Sequence, residues 1–202
     1  MSKPLKLTLT KVACQDDQMG EPRKDEIYLV LFGITGGGHR LYVPPTGLGS
    51  YGKGAVSKST FPKSLINVSV ADDELVASLC IWLFERDRGG LDGSGADLEA
   101  AFDARVTNLL AFDAALSLPS VAKHLYAFAQ SMLGMRFELE TFADSWFNSD
   151  ELLLPRFHHL FATLPQPGVD TGFEAIIEGA GAKYLLNFSL DFRWEPGPAV
   201  IG

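Results

Sequence analysis

Six acidic residues are spaced so that two loops could hold a cation between them. Glu85, Asp87 and Asp92 follow directly on the apolar run Leu75–Phe84, in the glycine-rich stretch ERDRGGLDGSGAD. Asp16, Asp17 and Asp25 flank a second polar loop, QDDQMGEPRK. Carboxylates are hard oxygen donors, and Ca2+ takes about 6–8 such oxygens. Asp16 or Asp17, together with Asp25, Glu85, Asp87 and Asp92, would supply most of a shell if the loops adjoin. The plainer reading of the same residues is a pair of solvated acidic loops.

Other chemistry-bearing motifs fall short of their templates. Gly93 to Leu98 matches the end of a nonapeptide calcium repeat, but that motif needs stacked copies and there is one. Asp97 then reads as a helix cap. Counting an EF-hand from Asp87 puts Gly89 and Leu91 at ligand positions. Gly47 to Lys53 fits G-x-x-x-x-G-K, yet Gly54 stands where Ser or Thr should reach Mg2+, and Pro44-Pro45 precede it. The wider segment 33–64, with Arg40, Lys53, Lys58 and Lys63, reads as a flexible connection first, and otherwise as a mobile basic loop able to touch phosphate headgroups or a partner. His39, His124, His158 and His159 lack metal spacing, and there is no G-x-S-x-G elbow. A catalytic constellation is not visible, which favours binding over catalysis.

Bulk composition narrows the classes further. The 202 residues are 47% hydrophobic and 21% charged, ordinary for a folded chain able to bury a core. A net charge of −8 argues against a nucleic-acid surface, which needs clustered Lys and Arg. Cys80 lies in the apolar run as a core residue, and a Cys14–Cys80 bridge stays open. MSKPLKLTLTK has no apolar signal region, and no run approaches the ~20 residues of a spanning helix. The expectation is a protein without a transmembrane segment, cytoplasmic or exported without a cleaved signal.

The elements that must position these residues come from periodicity. Leu5, Leu7 and Leu9 alternate with Lys6, Thr8 and Thr10, a strand with one wet face. DEIYLVLFGI and Leu75–Phe84 are apolar on both faces. In a two-sheet sandwich outward faces are polar, so two such strands require a cover over one sheet. Segments 97–116 and 119–134 carry apolar residues at helical spacing and supply that cover. Asp150–Leu164 predicts a third helix, with Leu153, Phe157, Leu160 and Phe161 inward; residues 135–140 fit strand or helix. Trp146 and Phe147 fall between helices in a polar setting, an amphipathic tip or a hinge-packing pair. Residues 173–178 and 182–194, joined by Gly179-Ala180-Gly181, read as a hairpin. The order is α+β: one domain, 1–202, with an antiparallel β-sandwich from 1–94 and 170–195 and a helical insertion over 95–166.

LTLTKVACQDD, a polar loop and KDEIYLVLFG resemble the first two strands of a C2 domain, with Asp25-Glu26-Ile27-Tyr28 at the strand entry. Glu26 and Ile27 depart from the family pattern. IWLFERDRGGLDG resembles the later C2 strand that ends in Asp-x-Asp and a further Asp, with Glu85 replacing the first Asp. The likeness spans about 70 residues, and the helical segment has no counterpart in that family. It implies a non-catalytic binding module in which Asp16, Asp17, Asp25, Glu85, Asp87 and Asp92 hold Ca2+ against an anionic lipid surface. The alternative is a metal-free interaction protein, accessory or toxin-related, that contacts a protein partner through the helical insertion. An unrecognised hydrolase is the third reading.

Overall fold

The computed structural model describes residues 2–16, 25–52, 54–56, 62–86, 96–112, 118–144, 151–153, 155–162, 171–179, 182–191 and 193–197. Ten strands and two helices run in the order β1 (Ser2–Asp16), β2 (Asp25–Thr35), β3 (Arg40–Tyr51), β4 (Lys63–Ala71), β5 (Val76–Arg86), α1 (Ala96–Phe112), α2 (Ser120–Asp144), β6 (Glu151–Leu152), β7 (Arg156–Ala162), β8 (Thr171–Gly179), β9 (Ala182–Leu190) and β10 (Trp194–Pro196). One antiparallel sheet has the order β4-β1-β9-β8. The other is β10-β7-β5-β2-β3, with β6 beside β5.

Two cores divide the molecule into three layers. Strict alternation in β1 and β9 sends Leu5, Leu7, Leu9, Tyr184, Leu186 and Phe188 inward against Leu29, Leu31, Leu79 and Ile81 of the second sheet. The other faces of β2 and β5 carry Val30, Phe32, Ile34, Cys80 and Trp82, which pack under Leu98, Phe102, Val106, Phe128 and Met132 of the helices. The two-sided hydrophobicity of these strands is therefore the imprint of a cover on both faces. Aromatic rings fill the second core: Phe102 meets Phe32 at 5.1 Å between centroids and Phe128 edge-on at 6.1 Å.

α2 runs through Gly134 and makes residues 135–140 helical, with Met135 and Leu139 buried one turn apart. Gly134 is not a stop but a crossing point. A Cβ there would collide with the Arg105 guanidinium of α1, which lies over the glycine and reaches Glu138 at 2.6 Å. The small residue lets the two helices approach.

Three sequence expectations give way. Residues 151–152 and 156–162 are strand, not a third helix, so the helices occupy 96–112 and 120–144 rather than the whole of 95–166. β7 pairs with β5 from Arg156↔Ile81 to Phe161↔Val76; completing the ladder on β5 outweighs a weak helical pattern. The segment 33–64, read as a mobile loop, contains β3 and the start of β4. β3 tolerates Pro44 and Pro45 because it is an edge strand, and the ladder shifts register opposite them, between Leu29 and Leu31. The last strand does not continue to Trp194. β9 ends at Leu190, and Trp194 opens β10 in the other sheet. There its indole N–H donates to the Pro4 carbonyl at 2.9 Å, tying the two sheets together.

Cys14 lies in the inter-sheet core and Cys80 in the core beneath the helices, so the second sheet separates the two free thiols. The β8–β9 hairpin forms as expected, closing with Gly179 opposite Ala182.

Candidate functional site

The backbone places three of the six acidic residues. Asp16 ends β1, opposite Lys183; Asp25 begins β2, opposite Tyr51. Glu85 stands near the end of β5, opposite Ile27 on one side and Glu151 of β6 on the other. Cys14 exchanges backbone hydrogen bonds with Gly54 and Ala55, just past the end of β3. These pairings put the end of β1, the start of β2 and the end of β5 at one pole of the sandwich. Asp17, Asp87 and Asp92 lie outside the described residues. Among the described residues no group of three or more His, Cys, Asp or Glu side chains could hold a metal ion.

The same pole has a hollow of about 250 Å3 between β2 and β3, lined by Glu26, Tyr28, Gly47 and Gly49. Tyr28 donates its hydroxyl proton to Glu26 at 3.3 Å. Gly47 leaves the hollow open over the Tyr28 ring, where a Cβ would come within 3.3 Å. Gly47 to Tyr51 of the G-x-x-x-x-G-K resemblance lie on an edge strand, Lys53 lies outside the described residues, and among the described residues the strand–loop–helix setting of a phosphate cradle is absent.

A groove of about 550 Å3 lies by the start of β3, where β3 and β4 leave the sandwich open beneath α1. Leu41 and Ile66 form an apolar floor, while His39, Tyr42, Asn67 and Glu99 present polar atoms. Arg40 is clamped by Asp103 at 3.1 Å and donates to the Thr107 hydroxyl at 2.6 Å. Burial, and then the negative charge of Glu99, push the Tyr42 hydroxyl well above its ordinary pKa. The phenol therefore stays a neutral hydrogen-bonding group. Sequence reading missed this groove because β3 was taken for a loop; its signal was the alternation of Leu41 and Val43 with Arg40 and Tyr42.

His124, His158 and His159 serve the fold rather than this groove. His124 of α2 bonds to the Gly36 carbonyl at 2.8 Å, beside the Gly36-Gly37-Gly38 turn whose last member has φ of 90°. His159 Nδ1 lies 2.6 Å from the Ser78 hydroxyl. Ser78 is only 1% exposed, so this Ser–His pair has no room for a substrate carbonyl. His158 points into the inter-sheet core and packs tilted against the Phe173 ring, 4.4 Å between centroids. Its Nε2 is buried without a hydrogen-bond partner among the described residues. Burial first, then the charges of Arg156 and His159, lower its pKa to about 4.

The outward face of α2 carries exposed apolar side chains. Leu133 and Phe137, one turn apart, are 72% and 68% exposed, and Tyr126 lies on the same stripe. The opposite face of α2 supplies Phe128, Met132, Met135 and Leu139 to the core, so its orientation is fixed. Trp146 and Phe147, expected as a tip between helices, lie outside the described residues. No described helix is long and apolar enough to cross a membrane.

No protein family matches the chain, and neither a curated protein nor a solved structure matches it.

Proposed function

We propose that the protein is a non-catalytic interaction module whose helical layer presents a contact surface to a protein partner. One observation carries this reading. Leu133 and Phe137 project from a helix whose other face is locked into the core, and large apolar side chains clustered on a rigid element are typical anchors of protein contacts. The β-sandwich then acts as a platform that holds α2 in place. The test is association of the full chain, by light scattering and by co-purification, in chelator and with the double substitution Leu133→Ser, Phe137→Ser. Association that persists in chelator and is lost in the double variant is expected. Association unaffected by the substitutions would overturn the reading.

A second reading, a C2-like Ca2+ site acting on anionic lipid, draws support from one specific feature: Asp16, Asp25 and Glu85 reach the same pole of the sandwich. Bound Ca2+ would offset the local negative charge and make that pole tolerant of lipid phosphate. Sedimentation with phosphatidylserine vesicles, with and without Ca2+, separates the two readings. Binding that needs Ca2+ and disappears in Asp87→Asn favours this one.

A further inference from the structure

An edge strand is a template for another strand unless something blunts it. Among the described residues the end strands of the two sheets are β3, β4, β8 and β10, while β6, with only β5 beside it, is two residues long. Three are blunted. β10 has three residues and ends in Pro196. β8 carries Glu174 and Glu178, and Arg156 Nε donates to its Ile176 carbonyl at 2.5 Å. β3 contains Pro44 and Pro45 and two breaks of register.

β4 is different. Ile66–Ala71 pairs without interruption to Ser2–Leu7, and INVSVA has neither a charge nor a proline. Among the described residues no hydrogen bond from another element reaches this stretch on the side away from β1. The 550 Å3 groove runs along that same side, because four consecutive residues, Leu65 to Val68, line it. Successive side chains of a strand point to opposite faces, so consecutive residues border one hollow only where it lies at the strand's edge. Helix α1 forms the far wall. Its Asp103 is engaged with Arg40, while Glu99 faces the groove near Tyr42.

We propose that the edge of β4 accepts an extended segment of a partner protein as an added strand, with a lysine or arginine of that segment reaching Glu99. Backbone pairing would supply affinity and the acidic wall would supply selectivity. A second copy of this chain is a poorer occupant, since a net charge of −8 on each copy opposes their association. This inference is separate from the contact surface on α2, and the two fail separately, since neither substituted α2 residue lines the groove.

The probe is a set of fluorescein-labelled, end-blocked decapeptides of alternating Thr and Val, alike except for a central Lys or Glu. Two further Lys peptides carry N-methyl groups on alternate backbone nitrogens, one version for each edge of the strand. Anisotropy with the full chain should show the Lys peptide binding at least about tenfold tighter than the Glu peptide, a difference of ~1.4 kcal/mol. One of the two methylated peptides should lose binding, because pairing uses one edge of the probe. Glu99 is exposed, so Glu99→Gln should leave the melting temperature unchanged while weakening the Lys peptide several-fold. Equal affinity for Lys and Glu peptides, binding indifferent to methylation at either edge, or no binding up to about 1 mM, a free energy of only ~4 kcal/mol, would each overturn the proposal. A dimer of the chain that the Lys peptide dissociates would also overturn it, by naming the second copy as occupant.

Discussion

Lowering the pH from about 7.5 to about 5 protonates His158 in the unfolded chain, where its pKa is about 6.5, but not in the folded one. In the native protein the ring is packed between the sheets against Phe173, one nitrogen lacks a hydrogen-bond partner among the described residues, and the pKa is held down to about 4. The folded pKa lies below the unfolded one, so the unfolded state binds the extra proton between these values. Stability is therefore full above pH ~6.5 and falls as the pH drops towards ~4. Linkage over that interval gives a loss of about 2 kcal/mol at pH ~5 and a limit of about 3.4 kcal/mol below both pKa values. His159, also lowered by burial, acts in the same direction. For a chain of this size, ~2 kcal/mol corresponds to a fall in Tm of roughly 4–8 °C.

The assay is urea unfolding at several pH values, comparing the parent chain with His158→Phe. Phenylalanine keeps an aromatic ring against Phe173 but has no proton to bind. Carboxylates titrate in both proteins, so subtracting one profile from the other isolates His158. The variant should lose about 2 kcal/mol less than the parent between pH ~7.5 and ~5. Parallel profiles for the two proteins would refute the buried, neutral imidazole.

Phe102→Ala should destabilise the chain by about 3–5 kcal/mol in urea unfolding, because Phe102 is fully buried between Phe32 and Phe128 and its loss opens a cavity under the helices. Gly134→Leu should cost about 1–3 kcal/mol, since the new side chain displaces the Arg105 guanidinium at the helix crossing; a neutral effect would show that the helices can separate there. Neither Cys14 nor Cys80 should react with a disulfide reagent in the native protein at neutral pH, and both should react in denaturant. Both are buried, and burial holds the Cys80 thiol well above its ordinary pKa.

How much was legible in the sequence depended on how each strand is buried. β1 and β9 have one face in the core and one in water, which imposes alternation, and both strands were readable from it. β2 and β5 have no wet face, and that absence pointed to the helical cover before any contact was known. β7 hid for a related reason. Both its faces are partly covered, His158 and Leu160 lying towards the first sheet and Phe157 towards α2. Its spacing of Leu153, Phe157 and Leu160 therefore passes for a helix turn by turn. Only its hydrogen-bonding partners, β5 and β10, distinguish the two, and partners about 75–85 and 30–40 residues away in sequence leave no local trace.

The functional residues divide in a similar way. Acidic loops advertise themselves in a sequence by composition, so Asp16, Asp25 and Glu85 could be named and their strands found at one pole. A groove made by two strand edges has no composition of its own. Backbone groups of β4 are the same in every strand, and what sets Ile66–Ala71 apart among the described residues is the lack of proline, charge and a hydrogen-bonded neighbour on its outer side. Whether a strand is an edge is a property of the sheet order, which only the folded chain reveals. The observation that three edges are blunted and one is not carries more functional information than any single side chain in the groove, because blunting is the usual defence against strand pairing, and its absence beside an acidic wall is where pairing would be selective.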